Sequence, residues 1–292
     1  MEDVTLKKYC AFLKPSPTGR RTLQANEVCD IFQQAGMINP EQEIAAGIIA
    51  FLSSLTTAEL PEMLRQALAL RLGSTSAPDV IVKTHAEVYE SIAEKNLFMV
   101  CVEPNRSVFR QLPAGYSFRT CRHDELEVWI QVASEAAYTE FLAAYYQQFY
   151  ASRSDEFFSR CTFVVNSDDR AVASCFLWLA YQQINTIAFL RVLPEFEGQG
   201  LGRSLLSELL READYPIYLH THPTSYRAIK LYSDLGFQFV DNPVIGDRHN
   251  NLVECLPFLH EVMPEEFFRD LKVRSAPQAF LDAASSSYPA EF

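Results

Sequence analysis

Apolar residues recur at helical spacing through the first third of the chain. Asn39 can cap a helix with Pro40 in its first turn, and Ile44, Ile48, Phe51, Leu52 and Leu55 then fall on one face. A second stripe, Leu60, Leu64, Ala67 and Leu68, is stopped by Gly73. Residues 74–79 (STSAPD) read as a loop, and THAE at 84–87 has the form of a capping box ahead of Val88 and Ile92. These spacings predict an all-helical N-terminal domain over residues 1–110, a packing or lid module with no catalytic constellation of its own.

The pattern changes near residue 97. LFMVCV (97–102) is strand-like, and EPNRSVFRQLPAG (103–115) reads as a connector. YSFRT (116–120) is a short strand before one or two helices between Asp124 and Tyr150. TFVV (162–165), a turn at NSDD (166–169) and AVASCFLWLA (171–180) predict a hairpin, followed by a strand at TIAFLRV (186–192). A helix at 203–211, a strand at IYLHT (217–221), a helix at 226–235 and a β pair around 237–240 and 252–256 complete the order. Antiparallel strands followed by strand, helix, strand and helix predict an α+β domain over residues 111–260, a mixed, mostly antiparallel sheet flanked by helices. Residues 261–292 are expected to form a C-terminal helix and a loosely held tail.

Composition narrows the partners more than the fold. The 292 residues are 48% hydrophobic and 21% charged, an ordinary globular balance, and the formal charge of −12 lacks the basic footprint that nucleic acid or an anionic membrane would need. Small-molecule or protein partners are therefore expected. Seven cysteines, scattered and without a C-x-x-C pair, read as reduced thiols rather than disulfides or a metal site. Ile44 to Leu55 is too short to span a bilayer and MEDVTLKKYC lacks an apolar signal core, so a cytoplasmic location is expected.

The segment carrying the most chemistry is EFEGQGLGRSLLSELL (195–210), where Gly198, Gly200 and Gly202 run into a leucine-rich helix. The dinucleotide fingerprint G-x-G-x-x-G fails, because it would need glycine at Arg203 or Leu205, and the phosphate loop G-x-x-x-x-G-K-[ST] fails at Glu197 and Arg203. A glycine turn feeding a helix start is either a plain tight turn or an anion site, where free N–H groups and the helix dipole face a ligand. Arg203 could add a charge-assisted contact, and Leu201, Leu205, Leu206, Leu209 and Leu210 would anchor the helix.

LRVLPEFEGQGLGRSLL (190–206) followed by SYRAIKLYSDLGF (225–237) resembles the GCN5-related N-acetyltransferase (GNAT) family over roughly residues 115–258. The resemblance implies that the backbone at Gly198, Gln199, Gly200, Leu201, Gly202 and Arg203 binds the pyrophosphate of acetyl-CoA as cosubstrate. It implies that the main chain at Leu190 and Val192 pairs with the pantetheine arm, and that Ser225 stands where a cofactor contact is frequent. It also implies that Tyr232 is the catalytic acid that protonates the departing thiolate; the same tyrosine lies on a helical face with Ala228, Leu231 and Leu235, which fits a packed aromatic equally well.

Two positions depart from the family pattern. Glu197 replaces Arg or Gln at the loop's start and puts a carboxylate near the bound diphosphate, and Ser225 replaces a frequent Asn. No carboxylate or histidine between Asn185 and Val192 can serve as general base; His220 and His222 are the candidates, and Tyr138, Tyr145 and Tyr146 could wall an acceptor pocket. The expectation is an acyl-CoA-dependent N-acetyltransferase moving acetyl to a primary amine by direct attack in a ternary complex, with no metal. The alternative is a non-catalytic acyl-CoA-binding regulatory protein.

Overall fold

A computed structural model of the chain describes residues 5–14, 23–42, 47–72, 77–285 and 291. Contacts group it into two units, residues 1–97 with 221–230 and 251–271, and residues 98–220 with 231–250 and 272–292.

The N-terminal unit is not all-helical. Its elements are β1 (Lys7–Leu13), α1 (Ala25–Gln34), β2 (Ile38–Gln42), β3 (Ile48–Ser53), α2 (Leu60–Leu72), β4 (Val80–Thr84) and α3 (His85–Ser91), with an antiparallel sheet in the order β2-β3-β1-β4. Asn39 and Pro40, expected to open a helix, instead lie at a register shift in the edge strand β2, where Asn39 has φ +49° and proline's missing N–H is tolerated. Ile48, Phe51 and Leu52 belong to β3, while Ile44 lies outside the described residues. A strand buried on both faces has no two-residue alternation, so its apolar run is indistinguishable from a buried helical stripe. The second stripe is helical as expected: Leu60, Leu64 and Leu68 of α2 are buried with Tyr9, Phe32 and Phe51. Gly73 falls outside the described residues. The capping box forms, with Glu87 N–H donating to Thr84 Oγ1 at 3.3 Å and Thr84 N–H to Glu87 Oε2 at 2.8 Å.

The remaining chain gives β5 (Leu97–Cys101), β6 (Ser117–Thr120), α4 (Leu126–Ala133), α5 (Thr139–Phe149), α6 (Ser154–Arg160), β7 (Thr162–Val165), β8 (Ala171–Ala180), β9 (Ile184–Val192), α7 (Leu201–Arg211), β10 (Ile217–Thr221), α8 (Tyr226–Asp234) and β11 (Gln238–Val240). Next come β12 (Val244–Ile245), β13 (Arg248–His249), α9 (Leu252–Val262), α10 (Glu265–Arg269), β14 (Val273–Arg274) and α11 (Gln278–Ser285). An eight-stranded sheet runs β14-β11-β5-β10-β9-β8-β7-β6, antiparallel from β6 to β9 and parallel between β9 and β10. It is the mixed α+β sheet expected from the strand order.

Strand β8 is covered on both faces, so it reads as a continuous apolar run. Phe176 and Trp178 join an aromatic core with Trp129, Tyr146, Tyr150 and Phe157 from the helices before β7. The apolar stripe of α7 behaves as read, with Leu201, Leu205, Leu206 and Leu210 buried.

Two C-terminal expectations change. Residues 252–256 begin α9 rather than a strand: the local alternation of LVECL is strand-like, but Leu252, Cys255, Leu259 and Val262 are buried at helical spacing. The segment read as a loose tail contains α11, whose Phe280 is fully buried and stacks on Tyr218 with centroids 4.2 Å apart. Three apolar positions, Phe280, Ala283 and Ala284, suffice for this docking, and small polar neighbours mask them in the sequence. Phe280→Ala should therefore cost about 3 kcal/mol, read as a fall in Tm; a change within about 0.5 kcal/mol, the range of surface substitutions, would show that the helix contributes little.

All seven cysteines are free, six of them buried. Burial pushes the Cys101 thiol up to about 12 and the Cys255 thiol up to about 11, and raises Cys161 and Cys175 as well. Among the described residues no group of three or more His, Cys, Asp or Glu is placed to hold a metal ion, and no helix is long and apolar enough to cross a membrane.

Candidate functional site

The site is built on the middle of the eight-stranded sheet. Strand β9 pairs with β8 as far as Val192, but with the parallel strand β10 only at Asn185↔Ile217 and Thr186↔Tyr218. Beyond Thr186 the two strands part, and the β9 main chain from Ile187 to Val192 has no ladder partner on that side. A register shift against β8 falls between Ala188 and Arg191, where Phe189 has φ +48°. The bulge presses both Ala188 and Phe189 against the aromatic core, with Phe189 5.5 Å from the rings of Trp129 and Tyr145. Leu190 and Val192, the two strand positions expected beside the cosubstrate, remain half-buried in the centre of the sheet.

After β9, a 3-10 turn (Pro194–Phe196) leads to the glycines. Gly198 has φ +73° and Gly200, the residue capping α7, has φ +86°. Both conformations are strained for any residue with a Cβ. Gly202 is different: it is helical, and an added Cβ would make ordinary contacts with Val192 at 3.5 Å and Leu231 at 3.7 Å. The N–H groups of Gly198, Gln199, Gly200, Leu201, Gly202 and Arg203 donate to no acceptor among the described residues. The first bond returning into the helix start is Ser204 N–H to Gly200 O at 3.0 Å. These unbonded amides stand at the positive end of the α7 dipole.

The side chains around the turn are engaged elsewhere. Arg203 Nη2 donates to Asp234 Oδ2 at 2.6 Å, so its guanidinium joins the start of α7 to the end of α8. The side-chain carbonyl of Gln199 accepts from the Tyr116 hydroxyl at 2.8 Å, and Tyr116 packs edge-on to Phe196. Glu197 lies within electrostatic range of Arg191, whose guanidinium donates to the carbonyls of Val132 and Ser134. A cation beside Glu197 offsets the like-charge objection that the sequence raises. Ser225, in the N-terminal unit, closes the 3-10 turn Pro223–Ser225 with its N–H donating to His222 O at 2.9 Å.

Tyr232 lies near the end of α8 and is 7% exposed. Its hydroxyl makes no hydrogen bond among the described residues. Burial, and to a lesser extent Cys175, raises the phenol above its ordinary value of 10, so the group holds its proton at neutral pH. Gly236 (φ +104°) ends the helix: Phe237 N–H returns to Tyr232 O at 3.0 Å and Gly236 N–H to Ser233 O at 3.1 Å, the paired bonds of a Schellman cap. Asn105 reinforces this end, donating its N–H to Leu235 O at 2.9 Å and its side-chain amide to Asp234 O at 3.1 Å.

The candidate bases and aromatics separate. His222 faces the carbonyl of Lys95 at 2.9 Å, while the His220 ring lies 5.1 Å from that of Phe98. Tyr146 is a core residue and Tyr138 is half exposed to solvent. Tyr145 is in between: its ring meets Phe149, Tyr150 and Phe189, and its hydroxyl donates to the main-chain carbonyl of Glu291.

The site therefore combines a central sheet with a parted strand pair, a left-handed glycine turn and a helix start whose amides are unbonded among the described residues. Residues 124–237 match the model of the acetyltransferase (GNAT) family. Similar solved structures include a GCN5-related N-acetyltransferase from Sphaerobacter thermophilus, 19% identical with a TM-score of 0.40, covering 49% of this chain and 48% of that one. Another is an acetyltransferase of the GNAT family from Colwellia psychrerythraea, 15% identical with a TM-score of 0.40, covering 52% and 56%. The chain thus spans about half the length of each. No curated protein sequence matches it significantly.

Proposed function

We propose that the chain is an N-acetyltransferase moving an acetyl group from acetyl-CoA to a primary amine by direct attack in a ternary complex. The observation that carries this reading is the run of unbonded N–H groups from Gly198 to Arg203 at the start of α7, beside strands that part after Thr186. A diphosphate would accept from those amides, and the pantetheine amides would pair with the exposed main chain of β9 around Leu190 and Val192. Arg203 contributes through its N–H, its guanidinium being held by Asp234.

In the proposed reaction the neutral amine nitrogen bonds to the thioester carbonyl carbon while a main-chain amide of β9 stabilises the negative charge on the oxygen. The carbon–sulfur bond then breaks, the nitrogen loses its extra proton to solvent or a base, and the Tyr232 phenol supplies a proton to the leaving thiolate. His220 is the candidate for the base. A cytoplasmic setting is consistent with seven unpaired thiols.

Acetyl-CoA at about 100 times its Kd should stabilise the chain by about 2.7 kcal/mol, a rise in Tm of roughly 5–10 °C for a domain of this size. Gly200→Val should abolish that rise. A panel of primary amines should then liberate free CoA. Stabilisation without CoA release from any amine would favour the non-catalytic acyl-CoA-binding reading, and the absence of any thermal shift would overturn both.

A further inference from the structure

One cation on β13 has no hydrogen-bonding or ion-pair partner among the described residues. Arg248, on β13, forms no hydrogen bond or ion pair among the described residues, and its Nε is sealed from solvent without an acceptor. Its guanidinium lies over the face of Phe98, 5.2 Å from the centroid, and the His220 ring packs against the same phenylalanine. Tyr145 and Tyr181 are within electrostatic range, and Tyr145 touches Phe189 at the β9 bulge, next to Leu190. Burial pushes the guanidinium below its ordinary value, and Tyr181, Tyr145 and Asp247 oppose the shift less strongly.

The other charges nearby are already satisfied. The Glu291 carboxylate accepts from the Trp178 indole N–H at 2.6 Å and from the Tyr181 backbone N–H, and it makes no ion pair with Arg248. Asp247, the neighbour in sequence, lies within electrostatic range of Arg248 but makes no ion pair with it among the described residues. Arg153 stacks on Trp178 at 4.1 Å and pairs with Glu156 at 2.7 Å. A half-buried guanidinium that no acid binds directly among the described residues keeps hydrogen-bonding capacity that a ligand anion can take up.

We propose that Arg248 recognises a carboxylate on the acceptor, which makes the substrate class primary amines that carry a carboxylate, such as amino acids or short peptides. This rests on the acyl-transfer reading above. Nη1 and Nη2 provide a planar fork matched to the two oxygens of a carboxylate, and Phe98 supplies the ring face that holds the fork in orientation. Carboxylate is favoured over phosphate because the neighbouring donors, Trp178 and Tyr181, already accommodate one in Glu291.

The test is the melting temperature of the full chain with phenylacetate, neutral phenylacetamide, phenyl phosphate or acetyl-CoA. Phenylacetate should raise Tm and phenylacetamide should not; Arg248→Gln should weaken phenylacetate binding about 10- to 100-fold, and Arg248→Lys should keep part of it. No shift with phenylacetate, equal shifts with the amide, a larger shift with phenyl phosphate, or a shift that survives Arg248→Gln would each overturn the assignment. The unliganded Arg248→Gln chain should melt no lower than the wild type, and a lower Tm would reassign the guanidinium to a structural role. Loss of the acetyl-CoA shift with the phenylacetate shift retained would sink the donor reading alone, and the reverse would sink only the Arg248 proposal.

Discussion

Tyr232→Phe is expected to lower kcat about 100-fold, the lower end of what a positioned general acid contributes. The KM for acetyl-CoA should stay nearly constant, because the proposed contacts to the diphosphate are main-chain amides of α7. The fold should tolerate the change: the ring and its packing on Phe237, at 5.8 Å, are retained, and the hydroxyl has no bond to lose among the described residues. The sign of the pH dependence follows from burial. A phenol raised above 10 remains protonated, and able to donate, through neutral and mildly alkaline pH, so the kcat profile of the wild type should show no alkaline decline from this group below pH about 10. Steady-state release of CoA across pH checks both statements. Unchanged turnover in the variant would remove Tyr232 from the acid role.

Gly236→Val should have the largest effect on stability, a loss of more than about 4 kcal/mol, since it combines backbone strain with overpacking. The residue has φ +104°, where a β-branched side chain is strained. A Cβ would stand 2.7 Å from Glu103 O, 3.1 Å from Asn105 N and 3.3 Å from Pro104 Cα. All three neighbours are backbone atoms, and the Asn105 amide is held by the end of α8, so none can withdraw without breaking the cap. Thermal melting should show a fall in Tm of well over about 8 °C, at roughly 2–4 °C per kcal/mol for a domain of this size. A variant that melts within a few degrees of the wild type would contradict this account of the turn.

Much of the C-terminal part could be read from the chain, for a physical reason. Its strands and helices are short, separated by turn residues, and each has one dominant period: β10 is found at 217–221 as expected, and α8 at 226–234 against an expected 226–235. The glycines were informative at 198 and 200, where left-handed backbone excludes other residues, but the sequence cannot distinguish Gly202, which is helical. The N-terminal sheet was hidden because β1 and β3 are buried on both faces, and a strand without alternation carries the same apolar count as a helix. Features that depend on residues distant in sequence could not be found from spacing. Arg203 with Asp234, Tyr116 with Gln199, and Trp178 with Glu291 are such pairs, and Arg248 is the same problem in reverse, since only the fold shows that no acid hydrogen-bonds it among the described residues.

Strands that separate inside a sheet create an interior margin with the hazards of an outer one. Bare main-chain groups along β9 can template pairing with a foreign strand, and natural sheets seldom leave such a border long and unguarded. Acetyl-CoA threaded through the gap would act as a missing strand and finish the ladder. The empty chain should consequently self-associate more readily than the loaded one, and added coenzyme should improve recovery of monodisperse protein well before any acceptor is known.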